Sequence, residues 1–175
     1  MTKNRRHMIY IAHRGNINKR SINDENHPLY IEEAIIQQYD VEIDIWRKNN
    51  KLYLGHDEPQ YNVTLEWIIH FRERLWVHCK NIDALEYFSF KYNLINFFWH
   101  QEDDVTLTSL GYLWTYPGKQ LTKYSIAVMP ETKPFSNIEI AYGVCSDLIQ
   151  DYLSIGILNE NSNYRTRLGW QEDEE

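Results

Sequence analysis

Val41-Glu42-Ile43-Asp44-Ile45 alternates apolar and acidic residues. A strand's period of two sends the three aliphatic side chains to one face and both carboxylates to the other. Two like charges a few ångströms apart on a half-buried surface are costly unless a cation lies between or beside them, and a hard divalent metal meets that need. The segment therefore reads as a strand whose apolar face belongs to a core and whose polar face belongs to a site. Working outward, the apolar run Met8 to Ala12 ends in His13-Arg14-Gly15. After the turn Lys48-Asn49-Asn50-Lys51, the run Leu52-Tyr53-Leu54 returns and delivers His56-Asp57 beside the acidic pair. Leu75-Trp76-Val77 leads into His78-Cys79-Lys80. Charged or imidazole-bearing tips on strand-like runs are hard to explain by packing.

The rest of the chain alternates strands with helices. Pro28 suits a helix's first turn, and Tyr30, Ile31, Ala34, Ile35 and Gln38 follow helical spacing to about Tyr39. Thr64 reads as the N-cap of a short helix, and Asn81 as the cap of a helix from Ile82 to about Tyr92. Leu94 to Trp99, Tyr112 to Tyr116, Tyr124 to Met129 and Ala141 to Cys145 read as strands, and Asp147 to Leu153 as a final helix. Thr106 to Gly111 offers no amphipathic helix, so the regular alternation lapses there. Seven strands and a hairpin arm are expected.

The order His-Arg-Gly, Glu-x-Asp, His-Asp resembles the glycerophosphodiester phosphodiesterases, a branch of the phospholipase-C-like phosphodiesterases built on a (β/α)8 barrel. Asp24-Glu25-Asn26 is similar to that family's Pro-Glu-Asn stretch, Val77-His78-Cys79-Lys80 to its Glu-x-Lys strand end, and Gly143-Val144-Cys145-Ser146-Asp147 to its Gly-Ile-x-Thr-Asp stretch. The resemblance runs from about Met8 to Asp147 and implies an α/β fold, a compact, pared-down (β/α)8-type TIM barrel. At 175 residues the chain is short of the roughly 250 typical of such barrels. Outer helices should therefore be missing, with room for the loss of one strand. Residues 1–170 are expected to form one domain, with Gln171 to Glu175 a solvated, disordered acidic tail.

Phosphodiester cleavage requires neutralised non-bridging oxygens, a base for the attacking hydroxyl and an acid for the leaving alkoxide. His13 and His56 are the candidate acid/base pair, Arg14 and Lys80 the phosphate-binding cations, and Glu42, Asp44 and His78 the metal ligands. The resemblance implies a substrate hydroxyl as nucleophile, which matches the lack of a Ser or Cys nucleophile motif. His78 stands where the family's third carboxylate would be, so magnesium, calcium or manganese is expected, with zinc admitted by the imidazole. The expected reaction is metal-dependent hydrolysis of a small glycerophosphodiester-like or phosphorylated sugar or polyol substrate. Two rivals stand beside it: a non-catalytic phosphate-binding barrel, and a metal-dependent hydrolase or lyase of another substrate class.

The bland readings are equally concrete. His13 could be a satisfied interior histidine, Glu42 and Asp44 a structural pair bonded to Arg47 or Lys80, and His56-Asp57 a loop-shaping turn. Lys80, Glu25 and Asn26 suit structural roles as readily as functional ones, and His100, Trp114 and Asp147 suit support better than catalysis. Trp99 and Trp114 could line a sugar-binding mouth. The net charge of −7 lacks the basic stripe that nucleic-acid binding requires. Cys79 and Cys145 form no disulfide framework or zinc spacing and read as small buried hydrophobes. No run approaches the ~18 apolar residues of a membrane span, and the apolar stretch after Asn4-Arg5-Arg6 is too short for a signal peptide. A cytoplasmic protein is expected, with its oligomeric state left open.

Overall fold

The computed structural model describes residues 8–92 and 94–157; the acidic tail expected at 171–175 lies outside them. The elements, in chain order, are β1 (Ile9–His13), α1 (Pro28–Ile36), β2 (Asp40–Lys48), β3 (Lys51–Leu54), β4 (Tyr61–Val63), α2 (Leu65–Phe71), β5 (Leu75–Cys79), α3 (Ile82–Lys91), β6 (Asn96–Trp99), β7 (Val105–Leu107), β8 (Leu113–Thr115), β9 (Ser125–Val128), β10 (Gly143–Ser146) and α4 (Ile149–Ile157). Seven strands run parallel in the order β6-β5-β2-β1-β10-β9-β8. β3 pairs antiparallel with the distal half of β2, β4 with β3, and β7 with β8.

This is a curled mixed sheet, a half-barrel, and the expected (β/α)8-type TIM barrel is incorrect. Among the described residues only four short helices occur. The path from β6 to β8 runs through the antiparallel β7, no helix lies between β8 and β9, and only a 3-10 turn, Ile138–Ile140, precedes β10. No ladder joins β6 to β7. Side chains stitch the gap instead: Ser109 donates its backbone N–H to Phe97 O (2.8 Å) and accepts from Phe97 N through Oγ (2.9 Å), and Thr106 Oγ1 donates to Trp99 O (2.9 Å). The physical cause is the stretch from Asp103 to Gly111, which is too short and too polar to form a helix that could cover a closing strand. A hollow of about 600 Å3 marks this seam, lined by Leu85, Phe97, Trp99 and Thr106 among others.

Strand pleating divides the core into two layers. Val41, Ile43, Ile45, Val77, Ala127 and Val144 pack in the larger core with the buried helix residues Ile31, Ala34, Ile68, Ala84, Phe88 and Ile149. Ile11, Trp76, Phe98, Trp114, Ile126 and Cys145 fill the concave side. Trp114, 3% exposed, is thus core and not the sugar-binding wall considered from the sequence, and Trp99 packs against the larger core. Two residues beyond five of these plug residues stand His13, His78, His100, Tyr116 and Asp147. The concave face therefore changes from an apolar plug to a polar layer at the C-terminal ends of the strands.

Local signals account for the helices. Pro28 sits in the first turn of α1 after His27, the Thr64 side chain accepts from Trp67 N, and the Asn81 side chain accepts from Ala84 N. Asn81 also ties α3 to β2, since its Oδ1 accepts from Arg47 N (3.1 Å) and its Nδ2 donates to Arg47 O (2.8 Å). Asn81→Ala is therefore expected to cost about 2–3 kcal/mol, about 1 for the cap and the rest for the stranded Arg47 groups. Urea unfolding would measure it, and a loss under about 0.5 kcal/mol would reject the tie.

Candidate active site

His13 and Glu42 are register partners on β1 and β2, as are Asp44 and His78 on β2 and β5. This pairing brings the candidate residues onto one mouth. Glu42, Asp44 and His78 each offer a ligand atom within 4.8 Å of the others. His78 Nδ1 lies 3.1 Å from Asp44 Oδ1 and 3.8 Å from Glu42 Oε1. Its Nε2 lies 3.4 Å from His100 O, and its ring stacks on Phe98. An imidazole nitrogen facing a carboxylate at that distance needs a proton or a cation between them.

Asp44 is wholly buried yet surrounded by positive charge. Arg14 Nε lies 2.9 Å from its Oδ2 and Lys80 Nζ 3.4 Å from its Oδ1. Asn26 grips it twice, Nδ2 donating to Oδ2 and Oδ1 accepting from Asp44 N, both at 2.9 Å. Burial alone would raise the carboxyl's pKa, but the His78 imidazole and the Arg14 and Lys80 charges override it and hold the group far below the usual carboxylate range. Glu42 has the opposite balance: burial and then the adjacent Asp44 charge push it above the usual range. Glu42 Oε2 is buried without a hydrogen-bond donor, whereas Asp44 Oδ1 and Arg14 Nε have close charged neighbours, His78 and Lys80 for the one and Asp44 for the other, that are misaligned for a hydrogen bond. Two buried carboxylates, one with an oxygen lacking a donor, that converge with an imidazole nitrogen fit a divalent cation.

Arg14 reaches this position through strained backbone. Its φ is +53°, Gly15 follows at +90°, and Asn26 lies at +63°, all in the left-handed region that Gly and Asn tolerate best. A Cβ on Gly15 would stand 2.8 Å from the Tyr30 ring, so this turn of the loop requires glycine. Glu25 then accepts from Arg14 Nη1 (3.0 Å), Arg20 Nε (2.9 Å) and Asn16 Nδ2 (3.2 Å).

His13 Nδ1 lies 2.8 Å from Asp147 Oδ1, and its Nε2 is 3.8 Å from Glu42 Oε2. Burial opposes charge on this ring, but Asp147 and Glu42 outweigh it, and the pKa rises above the ordinary histidine value. His56 is half-exposed and bonded to Asp57 (2.7 Å). Burial and then the Arg14 charge lower its pKa, with Lys80 adding to the effect. His56 is thus within electrostatic reach of the cluster.

Six of the seven candidates of the sequence reading, His13, Arg14, Glu42, Asp44, His78 and Lys80, come together, while His56 bonds Asp57 and meets the cluster only through the charges of Arg14, Asp44 and Lys80. Arg47 does not join them; its guanidinium bonds Asn50 and lies over Tyr87. Cys79 and Cys145 are buried, and burial pushes the Cys79 thiol up to about 12. His100 stacks on Tyr116, its pKa lowered to about 4 chiefly by burial. The sequence reading missed Asn16, Glu131 and Tyr116. Glu131 accepts from Ser146 Oγ and from Asp147 N. Tyr116 carries a signal in hindsight, two residues beyond an inward tryptophan, whereas Asn16 lies in a loop and carries none.

Glu42→Gln is expected to stabilise the cation-free protein by on the order of 1 kcal/mol, because a buried, donor-less charge is removed. The gain should grow with rising pH: a carboxyl with a raised folded-state pKa favours folding while protonated, and that contribution is lost as it ionises. The same change should abolish stabilisation by added manganese. Thermal unfolding at two pH values, with and without the ion, checks both signs.

No family model matches this chain, and neither a curated protein nor a solved structure matches it, so the arrangement of its own side chains is the ground for a functional reading.

Proposed function

We propose that the protein is a metal-dependent phosphodiesterase acting on a small phosphorylated substrate, a glycerophosphodiester or a related sugar or polyol diester. The observation that carries this reading is the convergence of two buried carboxylates, Glu42 with an oxygen that has no donor and Asp44, on the imidazole of His78, with Arg14 and Lys80 against Asp44 and His13 near Glu42. A divalent cation held by Glu42, Asp44 and His78 would supply Lewis-acid polarisation of a phosphoryl oxygen. Arg14 and Lys80 would neutralise the anionic oxygens, Arg14 as a planar fork and Lys80 as a point charge.

The opposite shifts divide the labour of the histidines. His56, with a lowered pKa, starts neutral and takes the proton from a substrate hydroxyl next to the phosphate. That oxygen attacks phosphorus, and the bond to the leaving alkoxide breaks. His13, with a raised pKa, starts protonated and gives its proton to that alkoxide. The cyclic phosphate is then opened by water with the two roles reversed. No protein nucleophile is needed, in keeping with two buried thiols. Those thiols also agree with a reducing, cytoplasmic setting. Among the described residues no helix is long and apolar enough to cross a membrane.

One observation favours a second reading, a non-catalytic phosphate-binding protein: Arg14 and Lys80 already stand against Asp44, so that carboxylate is compensated without a metal. Turnover of a model substrate such as bis(p-nitrophenyl) phosphate or glycerophosphocholine, with and without a chelator, separates the two.

His13→Ala and His56→Ala are each expected to lower turnover about 10²- to 10⁴-fold. The wild-type kcat/KM should follow a bell, rising through the lowered pKa of His56 on a limb below pH about 6.5 and falling through the raised pKa of His13 on a limb above it. A flat profile would remove the acid/base assignment. His78→Glu should shift metal preference toward magnesium and calcium, because a hard oxygen replaces imidazole. Calorimetric titration with magnesium, calcium, manganese and zinc reads this directly; unchanged selectivity means that His78 is no ligand.

A further inference from the structure

One face of the half-barrel carries a ridge and a hollow side by side. On α3, Ala84 and Phe88 are fully buried, so Ile82, Glu86 and Phe90, at i, i+4 and i+8, form a stripe on the solvent side. Ile82 and Phe90 are 63% and 84% exposed. Beside the stripe lies the seam between β6 and β7, its hollow walled by Leu85 of α3, Phe97 and Trp99 of β6, and Val105 and Leu107 of β7. Leu94 adjoins the seam, since Ser109 Oγ donates to the neighbouring Ile95 O (2.9 Å). Regular βα alternation would cover such side chains with an outer helix; here Leu107 is 65% and Leu94 70% exposed. Ile82, Phe90, Leu94, Val105 and Leu107 together expose on the order of 500 Å2, at the upper end of the largest patch that a monomer usually shows. The walls of the hollow bring this face close to the roughly 800 Å2 per partner of a standard interface.

An apolar ridge next to an apolar hollow is self-complementary under a two-fold axis, because each copy's ridge enters the other's hollow. Charge selects the same arrangement. Asp83 lies in the first turn of α3 and Lys91 in the last, so a dyad running across α3 makes the two helices antiparallel and sets Lys91 of each copy toward Asp83 of the other. We infer that this face is the interface of a symmetric homodimer, in which Ile82 and Phe90 of α3 fill the hollow between β6 and β7 of the second copy. Glu86 is the one charge on the stripe, and the cost of desolvating it keeps the dimer weak, with a Kd on the order of 10 μM. None of the seven site candidates takes part, so the dimer does not depend on the phosphodiesterase reading.

The test is sedimentation equilibrium of the full chain from about 1 to 200 μM, across which the wild type is expected to pass from monomer to dimer. Phe90→Asp should weaken the dimer at least about 30-fold. Ile36→Asp, on α1 and equally open to solvent at 75% exposure, should leave it unchanged. Lys91→Glu should weaken it about tenfold, and adding Asp83→Lys should restore it. Thermal unfolding at about 1 μM, where the monomer prevails, separates folding from association: Phe90→Asp should melt there with the wild type. A wild type that stays monomeric throughout overturns the inference, and the same melts then show what covers the face. A lowered melting temperature for Phe90→Asp would assign it to another segment of this chain, and an unchanged one to a different protein. A dimer indifferent to Phe90→Asp, or weakened as much by Ile36→Asp, overturns the inference as well, and one indifferent to Lys91→Glu overturns the antiparallel arrangement.

Discussion

The organisation of the mouth follows from a buried charge at Asp44. A carboxylate with no solvent access is tolerable only where donors and cations surround it, and this one draws them from three directions. Asn26 closes the loop from β1 onto β2 through two hydrogen bonds, Arg14 bends into left-handed backbone to face it, and His78 and Lys80 approach from β5. Arg14, His78 and Lys80 are themselves candidate functional residues, so the requirement to keep Asp44 charged also assembles the site.

Glu42 shows what such an arrangement leaves incomplete. It occupies the same face two residues earlier, but Asp44 has taken the cations, and Glu42 is left with raised pKa and an oxygen without a donor. The two carboxylates are therefore unequal, one held ionised by the protein and the other dependent on something added to it. A proton, a cation or a charged His13 can each meet that dependence, and the three compete for one oxygen. An unsatisfied group of this kind costs stability in the absence of a partner.

The concave face explains how a small half-barrel carries this polar layer. Ile11, Trp76, Phe98, Trp114, Ile126 and Cys145 fill its floor, and the aromatic bulk takes the place of the volume that more strands and helices would enclose. The polar layer rests on that floor, His78 against Phe98 and His100 against Tyr116. The opening between β6 and β7 is bridged by Ser109 and Thr106 rather than by a ladder. The site side chains lie on or just past β1, β2, β3 and β5, in the hydrogen-bonded part of the sheet.

Alternation in Val41 to Ile45, the His-Arg-Gly and His-Asp tips and the caps at Thr64 and Asn81 were legible in the sequence because they depend on neighbours within a few residues. Period-two alternation assigns faces, and a side-chain cap needs only the next turn of helix. They also brought His13, Arg14, Glu42, Asp44, His78 and Lys80 to one side of the sheet, since strand ends in a parallel sheet share one side. The closure of the sheet was not legible, because a closed and an open barrel differ in whether the last strand finds a partner, a long-range matter that local patterns do not encode. Nor was the inequality of Glu42 and Asp44, which are equivalent in an alternating strand until Arg14, Asn26 and Lys80 arrive at one and not the other. The hydrogen bonding of Asn16 belongs to the same class: a polar residue in a polar loop has its amide fully satisfied only when Asp147, 131 positions away, comes within hydrogen-bonding distance of it.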